Sequence, residues 1–319
     1  MLDMTWGFQL VLDLPHIQRL TGETRQLWSL PGPVGDVTLS AAGEKLEDSS
    51  ELTFRGTGFI SSEAARHAGE RFCDWIRLAG ALEGGGFDLG KGVIRSGLSE
   101  DAKARVLAAT SEDGVYLVDD VHGLTVFEES GLHPLRIAAR VGTTGPGVRV
   151  LRPSKTMKEA IVKHARPEAL TDKQTLVCEL LLLAEREVSV RAQLITAVTV
   201  MEVLVHRSER TGQARRSVDK FIEEVASQQD SADEDGDRQE LGSLLGGLRD
   251  LRRASISTSV RRMAIRSRHG DPEVEKLARR IYQCRSDLVH AGVSRFEDAT
   301  ISNDARSLAQ DMFRLSLTE

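Results

Sequence analysis

The chain has 319 residues, of which 40% are hydrophobic and 28% charged, and its net charge is −6. That composition supplies a packed core and excludes wholesale disorder, and the length suits about two domains. Aromatic residues are few (Phe 9, Trp 3, Tyr 2), which, with the net acidity, argues against nucleic-acid binding by stacked bases or diffuse positive charge.

The first half reads as strand-rich. Short apolar runs at Trp6 to Leu12, Arg25 to Leu30, Asp36 to Ser40 and Glu51 to Arg55 are bounded by Gly, Pro and Ser and predict strands. Ala65, Ala68, Phe72, Ile76 and Ala79 then recur at helical spacing, with Ser61 or Ser62 as cap and a Gly triplet at 84–86 as stop. Ser99 is placed to cap a short helix, and Val115 to Val118 and Leu124 to Phe127 read as paired strands. Residues 141–147 read as a loop and Val148 to Leu151 as a last strand. The fold class expected is therefore α+β, with a mixed regulatory or sensing domain over 1–166 and an all-α domain over 167–319.

In that second half, helices are expected from Thr171 or Asp172 onward, from Arg191 to Val205 and over 217–228. The acidic segment 228–240 is nearly free of apolar residues and reads as a flexible loop. Leu241 to Leu251 is weakly helical because of its glycines, Val260 to Ile265 and Glu273 to Val289 continue the helical pattern, and Ser302 or Asn303 is placed to cap a final helix.

Most chemical motifs can be set aside. Cys73, Cys178 and Cys284 lie far apart, against a disulfide framework or a Cys-based zinc site. Gly85 to Lys91 fits the phosphate-cradling G-x-x-x-x-G-K spacing but has Gly92 where a magnesium hydroxyl belongs, and it follows a helix rather than a strand. No metal or other cofactor is expected. Apolar runs stop short of membrane length, Glu202 interrupting the longest, and Asp3 stands where a signal peptide carries a basic residue. A cytoplasmic protein without a membrane partner is the expectation.

One constellation remains. Val274, Leu277, Ile281, Cys284 and Leu288 form a helical stripe interrupted by Arg285, Ser286 and Asp287, with His290 and then Gly292 as a helix C-cap. Arg offers a fixed cationic fork and His a proton near neutral pH. Asp287, one turn before His290, is placed to orient its ring, and Ser286 to bond it. Such a set suits RNA cleavage, in which a ribose 2′-OH attacks the neighbouring phosphate. The plainer reading is a surface Arg and a His favoured by the helix dipole. Residues five apart on a helix differ by about 140°, so a shared site needs either an early helix end or a cleft between two copies. Glu202, on an apolar face, needs a partner, either Arg285 or a group elsewhere in the bundle. Seven arginines from Arg249 to Arg268, among them Arg261, Arg262 and Arg266, form either a solvated face or a phosphate track. The acidic segment is placed to cover them at rest.

The block Tyr282-x-x-Arg285-Ser286-Asp287-Leu288-Val289-His290-Ala291-Gly292 resembles the Arg-x4-6-His motif of HEPN domains, particularly the Apea-like subgroup. The stretch around Glu202 resembles that family's second helix, and the β-rich first half resembles the region that often precedes Apea-like domains. The resemblance covers roughly 170–317 and implies an all-α bundle, a homodimer, and metal-independent ribonuclease activity in antiphage defence or toxin-like growth arrest. It implies Arg285 and His290 as the catalytic pair; spacing along the helix adds Asp287 and Ser286 beside them, the charge pattern adds Arg261, Arg262 and Arg266 as substrate contacts, and Glu202 and Tyr282 are read as supports. Ser286 departs from the family, which often has Asn, Asp or His after the Arg. The alternative is a non-catalytic bundle that binds RNA or other proteins within a larger defence complex.

Overall fold

The computed structural model describes residues 5–14, 18–41, 45–49, 51–85, 87–89, 123–129, 150–292 and 299–318. They form two compact units, Met1–Arg186 and Glu187–Glu319. The first is built on a five-stranded antiparallel sheet and the second is helical, so the chain is α+β.

The sheet comprises β1 (Trp6–Asp13), β3 (Arg25–Ser29), β4 (Asp36–Ala41), β5 (Glu51–Phe59) and β6 (Gly123–Glu128), in the order β3-β4-β5-β1-β6. All five match predicted strands to within a few residues, because each is a short run bounded by turn-forming residues, and β4 and β5 in addition alternate buried and less buried positions. β1 is flanked on both sides, with Leu10 opposite Phe54 of β5 and Leu124 of β6. The expected partner of β6 at Val115 to Val118 lies outside the described residues, as do the Ser99 helix, the 141–147 loop and residues 86, 90 and 91 of the G-x-x-x-x-G-K stretch. β2 (Gln18–Thr21) pairs in parallel with β7 (Val150–Pro153) as a separate ribbon.

Helix α1 (Ser62–Glu83) covers the sheet. Ser61 caps it by accepting from the Ala64 amide at 3.1 Å, and Gly84, at φ 76°, ends it in the left-handed region. Phe8, Leu10 and Leu12 of β1 meet Ala68, Phe72 and Ile76 of α1 in one core. Gly69 lets the helix approach: a Cβ there would stand 2.5 Å from Leu124 Cδ1. Cys73 is free and buried, and burial pushes its thiol up to about 12, so it packs as a small apolar group.

Helices α2 (Ser154–Lys163) and α3 (Asp172–Arg186) pack on α1. Trp75 Nε1 donates to the Arg166 carbonyl at 2.9 Å, and the Leu170 amide donates to Asp74 at 3.2 Å, tying the intervening segment to α1. The first unit therefore runs to Arg186 and includes a helix that the sequence pattern alone groups with the second half.

The second unit holds α4 (Val190–Leu204), α5 (Gly212–Asp230), α6 (Asp235–Asp250), α7 (Ile256–Ser267), α8 (Pro272–Ala291) and α9 (Ala299–Ser316). α9 packs along α4 and α7, burying Ile301, Ala305, Leu308, Met312 and Phe313. Ser302 lies inside α9 and 2% exposed, donating to Gln193 at 3.3 Å; the helix starts at Ala299, so Ser302 and Asn303 are not its cap. The acidic segment is also not a loop. α5 and α6 form a helical hairpin in which only 231–234 connect the two. Asp235 and Asp237 fill the first turn of α6, where the helix dipole favours carboxylates, and the Gln229 side chain donates to the Arg238 carbonyl at 2.9 Å. No helix among the described residues is long and apolar enough to cross a membrane.

Candidate functional site

Helix α8 carries the Arg–His constellation. Asp271 caps it by accepting from the Glu273 amide at 2.9 Å, Pro272 opens it, and Gly292, at φ 69°, closes it. Val274, Ala278, Ile281 and Cys284 form its buried stripe, with Leu277 and Leu288 half-buried at its margins. The helix continues to Ala291, so Arg285 and His290 both lie within it, about 140° apart around its axis.

Arg285 sits where α8 meets α4. Its Nη2 is 3.7 Å from Glu202 Oε1, and the Tyr282 hydroxyl donates to the same carboxylate oxygen. The carboxylate that interrupts the apolar face of α4 thus balances Arg285 and accepts from Tyr282, which is the partner that its partial burial requires. The side chains of Arg285 and Glu202 are 30% and 21% exposed, so the cluster is reachable from solvent.

The Tyr282 phenol is raised above its ordinary value, first by burial and then by the bond to Glu202 and its negative charge, with Arg285 opposing. Such a group favours the protonated form in the folded chain. Its stabilising contribution is complete below the ordinary phenol value of about 10 and is lost as pH climbs toward the folded value. The chain has two tyrosines, at 116 and 282, so Tyr116→Phe isolates the second. In that background, phenolate absorbance is expected only above the ordinary range, and Glu202→Gln is expected to bring its onset down. Ordinary titration of Tyr282 would contradict this geometry.

The other predicted residues are more scattered. Asp287 accepts from Gln283 Nε2 at 2.7 Å, one turn back on α8, and is held there rather than by His290. Ser286 is half-buried. His290 is exposed in the last turn of α8, and among the described residues it has no hydrogen-bond or ion-pair partner. On α7, Arg261 pairs with Glu275 at 3.5 Å and reaches Thr258 at 3.3 Å, whereas Arg262 donates to Ser208 at 3.0 Å. Arg262 and Arg266 share a face at i,i+4, and Arg261 lies about 100° away from Arg262. Arg252, just past α6, pairs with Asp219 of α5, and Arg268, just past α7, with Asp311 of α9, each at 2.8 Å. Several arginines of the basic stretch are therefore engaged in holding the bundle's elements together.

The sequence pattern does not reveal Gln283 as the partner of Asp287. It also misses a cleft of about 430 Å³ lined by Ser208, Glu209, Arg210, Thr211, Thr258 and Arg262. Its two walls, 208–214 and 254–262, are distant in the chain, and only tertiary pairing joins them. No family model, curated protein or solved structure matches this chain.

Proposed function

We propose that the second unit is a metal-independent endoribonuclease acting as a homodimer in antiphage defence or toxin-like growth arrest. The observation that carries this reading is the placing of Arg285. A cation is held half-buried against Glu202 and Tyr282, at the surface of a helix whose last turn presents an open histidine.

In this mechanism the 2′-oxygen attacks the adjacent phosphorus, and the bond from phosphorus to the 5′-oxygen breaks. His290 handles the proton that leaves the 2′-hydroxyl and is needed by the departing 5′-oxygen. The Arg285 fork stabilises the charge that builds on the phosphoryl oxygens. Because the two side chains leave α8 in different directions, Arg285 of one copy and His290 of another complete each cleft. The test is the chemistry of the cut. Expected products carry 2′,3′-cyclic phosphate and 5′-hydroxyl ends, and a substrate lacking the 2′-hydroxyl resists. Equal cutting of the 2′-deoxy substrate overturns the reading.

A second reading, a non-catalytic module that binds RNA or protein within a larger defence complex, is favoured by one observation. Asp287 is engaged by Gln283 and is not turned to orient His290. In that case RNA is bound and left intact.

A further inference from the structure

The cleft beside α5 and α7 is built from two short extended segments. The Arg210 amide donates to the Arg252 carbonyl at 2.7 Å and the Ala254 amide to the Ser208 carbonyl at 2.8 Å, forming a two-segment ribbon. Arg207 locks this ribbon to the end of α6, donating to the Ala254 carbonyl at 2.8 Å and gripping both Asp250 carboxylate oxygens at 2.8 and 3.0 Å. The walls are therefore held before any ligand arrives.

The cleft gathers donors. Arg262 Nη1 rests on the Ser208 hydroxyl at 3.0 Å, and Arg210 Nε on the Leu251 carbonyl at 2.8 Å. The remaining guanidinium donors of both have no partner among the described residues. The Thr211 hydroxyl adds a further polar group to the lining, whereas the Thr258 hydroxyl there is already engaged, 2.9 Å from Ser255 Oγ and accepting from Arg261 at 3.3 Å. Its one carboxylate, Glu209, is bound by Arg215 outside the lining. Thr211 also precedes α5 without a side-chain cap bond, so the first amides of a 19-residue helix add to the same field. The volume, about 430 Å³, lies in the range of small-molecule sites.

From the two guanidinium groups, the hydroxyls and the fixed walls, we infer that this cleft binds a phosphate group. The phosphate belongs either to a nucleotide or nucleic-acid end or to a polynucleotide backbone. The Arg262 fork, positioned by Ser208, provides the bidentate contact, and Arg210 and the Thr211 hydroxyl take the remaining oxygens. This inference does not rest on the nuclease reading, since it invokes neither Arg285 nor His290 and needs no cleavage.

Calorimetric titration of the full chain with adenosine 5′-monophosphate and with adenosine tests it. The monophosphate is expected to bind and the nucleoside to fail. Arg262→Ala is expected to weaken monophosphate binding roughly tenfold or more. Arg262→Gln, which keeps a donor for Ser208 but removes the charge, is expected to weaken it similarly, whereas Arg279→Ala, on α8 outside the lining, leaves it unchanged. A short oligodeoxynucleotide without terminal phosphates separates the two sources. Arg262-dependent binding of that strand assigns the site to backbone phosphates, and binding of the monophosphate alone assigns it to terminal ones. Monophosphate binding no tighter than that of adenosine, or equal in wild type and both Arg262 variants, overturns the inference.

Discussion

Phe72→Ala is expected to destabilise the first unit by about 3–5 kcal/mol, the range for deleting a buried aromatic ring. Phe72 is fully buried, with its ring 5.2 Å from Phe54 in an edge-on arrangement and 6.0 Å from Phe8. Those neighbours belong to β5 and β1, whose ladders fix their backbones, so the space left behind cannot close by collapse. A domain's net stability is about 5–15 kcal/mol, and this single change removes a large share of it. All three tryptophans, at 6, 28 and 75, lie in the first unit, so tryptophan fluorescence during urea unfolding reports on it directly. The midpoint is expected to fall markedly, and an unchanged midpoint would contradict the packing described.

The second large effect is the one the proposed nuclease mechanism requires. Arg285→Ala is expected to slow RNA cleavage by roughly 10²–10³-fold, the usual consequence of losing one charge-stabilising donor. His290→Ala is expected to cost about 10²–10⁴-fold, the range of a positioned acid–base group. The variants should differ in stability. His290 is exposed and its loss is expected to be nearly neutral for folding. Arg285 balances Glu202, so Arg285→Ala leaves a half-buried carboxylate with only the Tyr282 hydroxyl and is expected to lower the melting temperature. Initial rates and thermal melts of the same preparations separate the two effects.

Much of the fold is legible in the sequence because local chemistry agrees with the tertiary structure. The strands Arg25–Ser29 and Asp36–Ala41, the Ser61 cap, and the Gly84 and Gly292 ends are each set by residues within a few positions. The misses have physical causes. β2 is four residues long and gains its pairing from β7, more than 100 residues away, so no local pattern announces it. α2 buries only Ser154 and Ile161, too few for a periodic stripe. In the acidic segment, low hydrophobicity points to a loop, yet carboxylates at a helix N-terminus are stabilising, and the segment starts a helix. At the site, a carboxylate at Glu202 on an apolar face signals a partner, but only the packing of α4 on α8 identifies Tyr282 and Arg285. Asp287 is the opposite case: its spacing to His290 on α8 is suggestive, and its bond goes the other way, to Gln283.

The most direct test of the central claim is RNA cleavage by the purified full-length protein in excess EDTA, run beside Arg285→Ala and His290→Ala. The mechanism requires the wild-type chain to cut RNA with every free metal ion chelated and both variants to fall by at least about a hundredfold. Variants that cut as fast as wild type would contradict it.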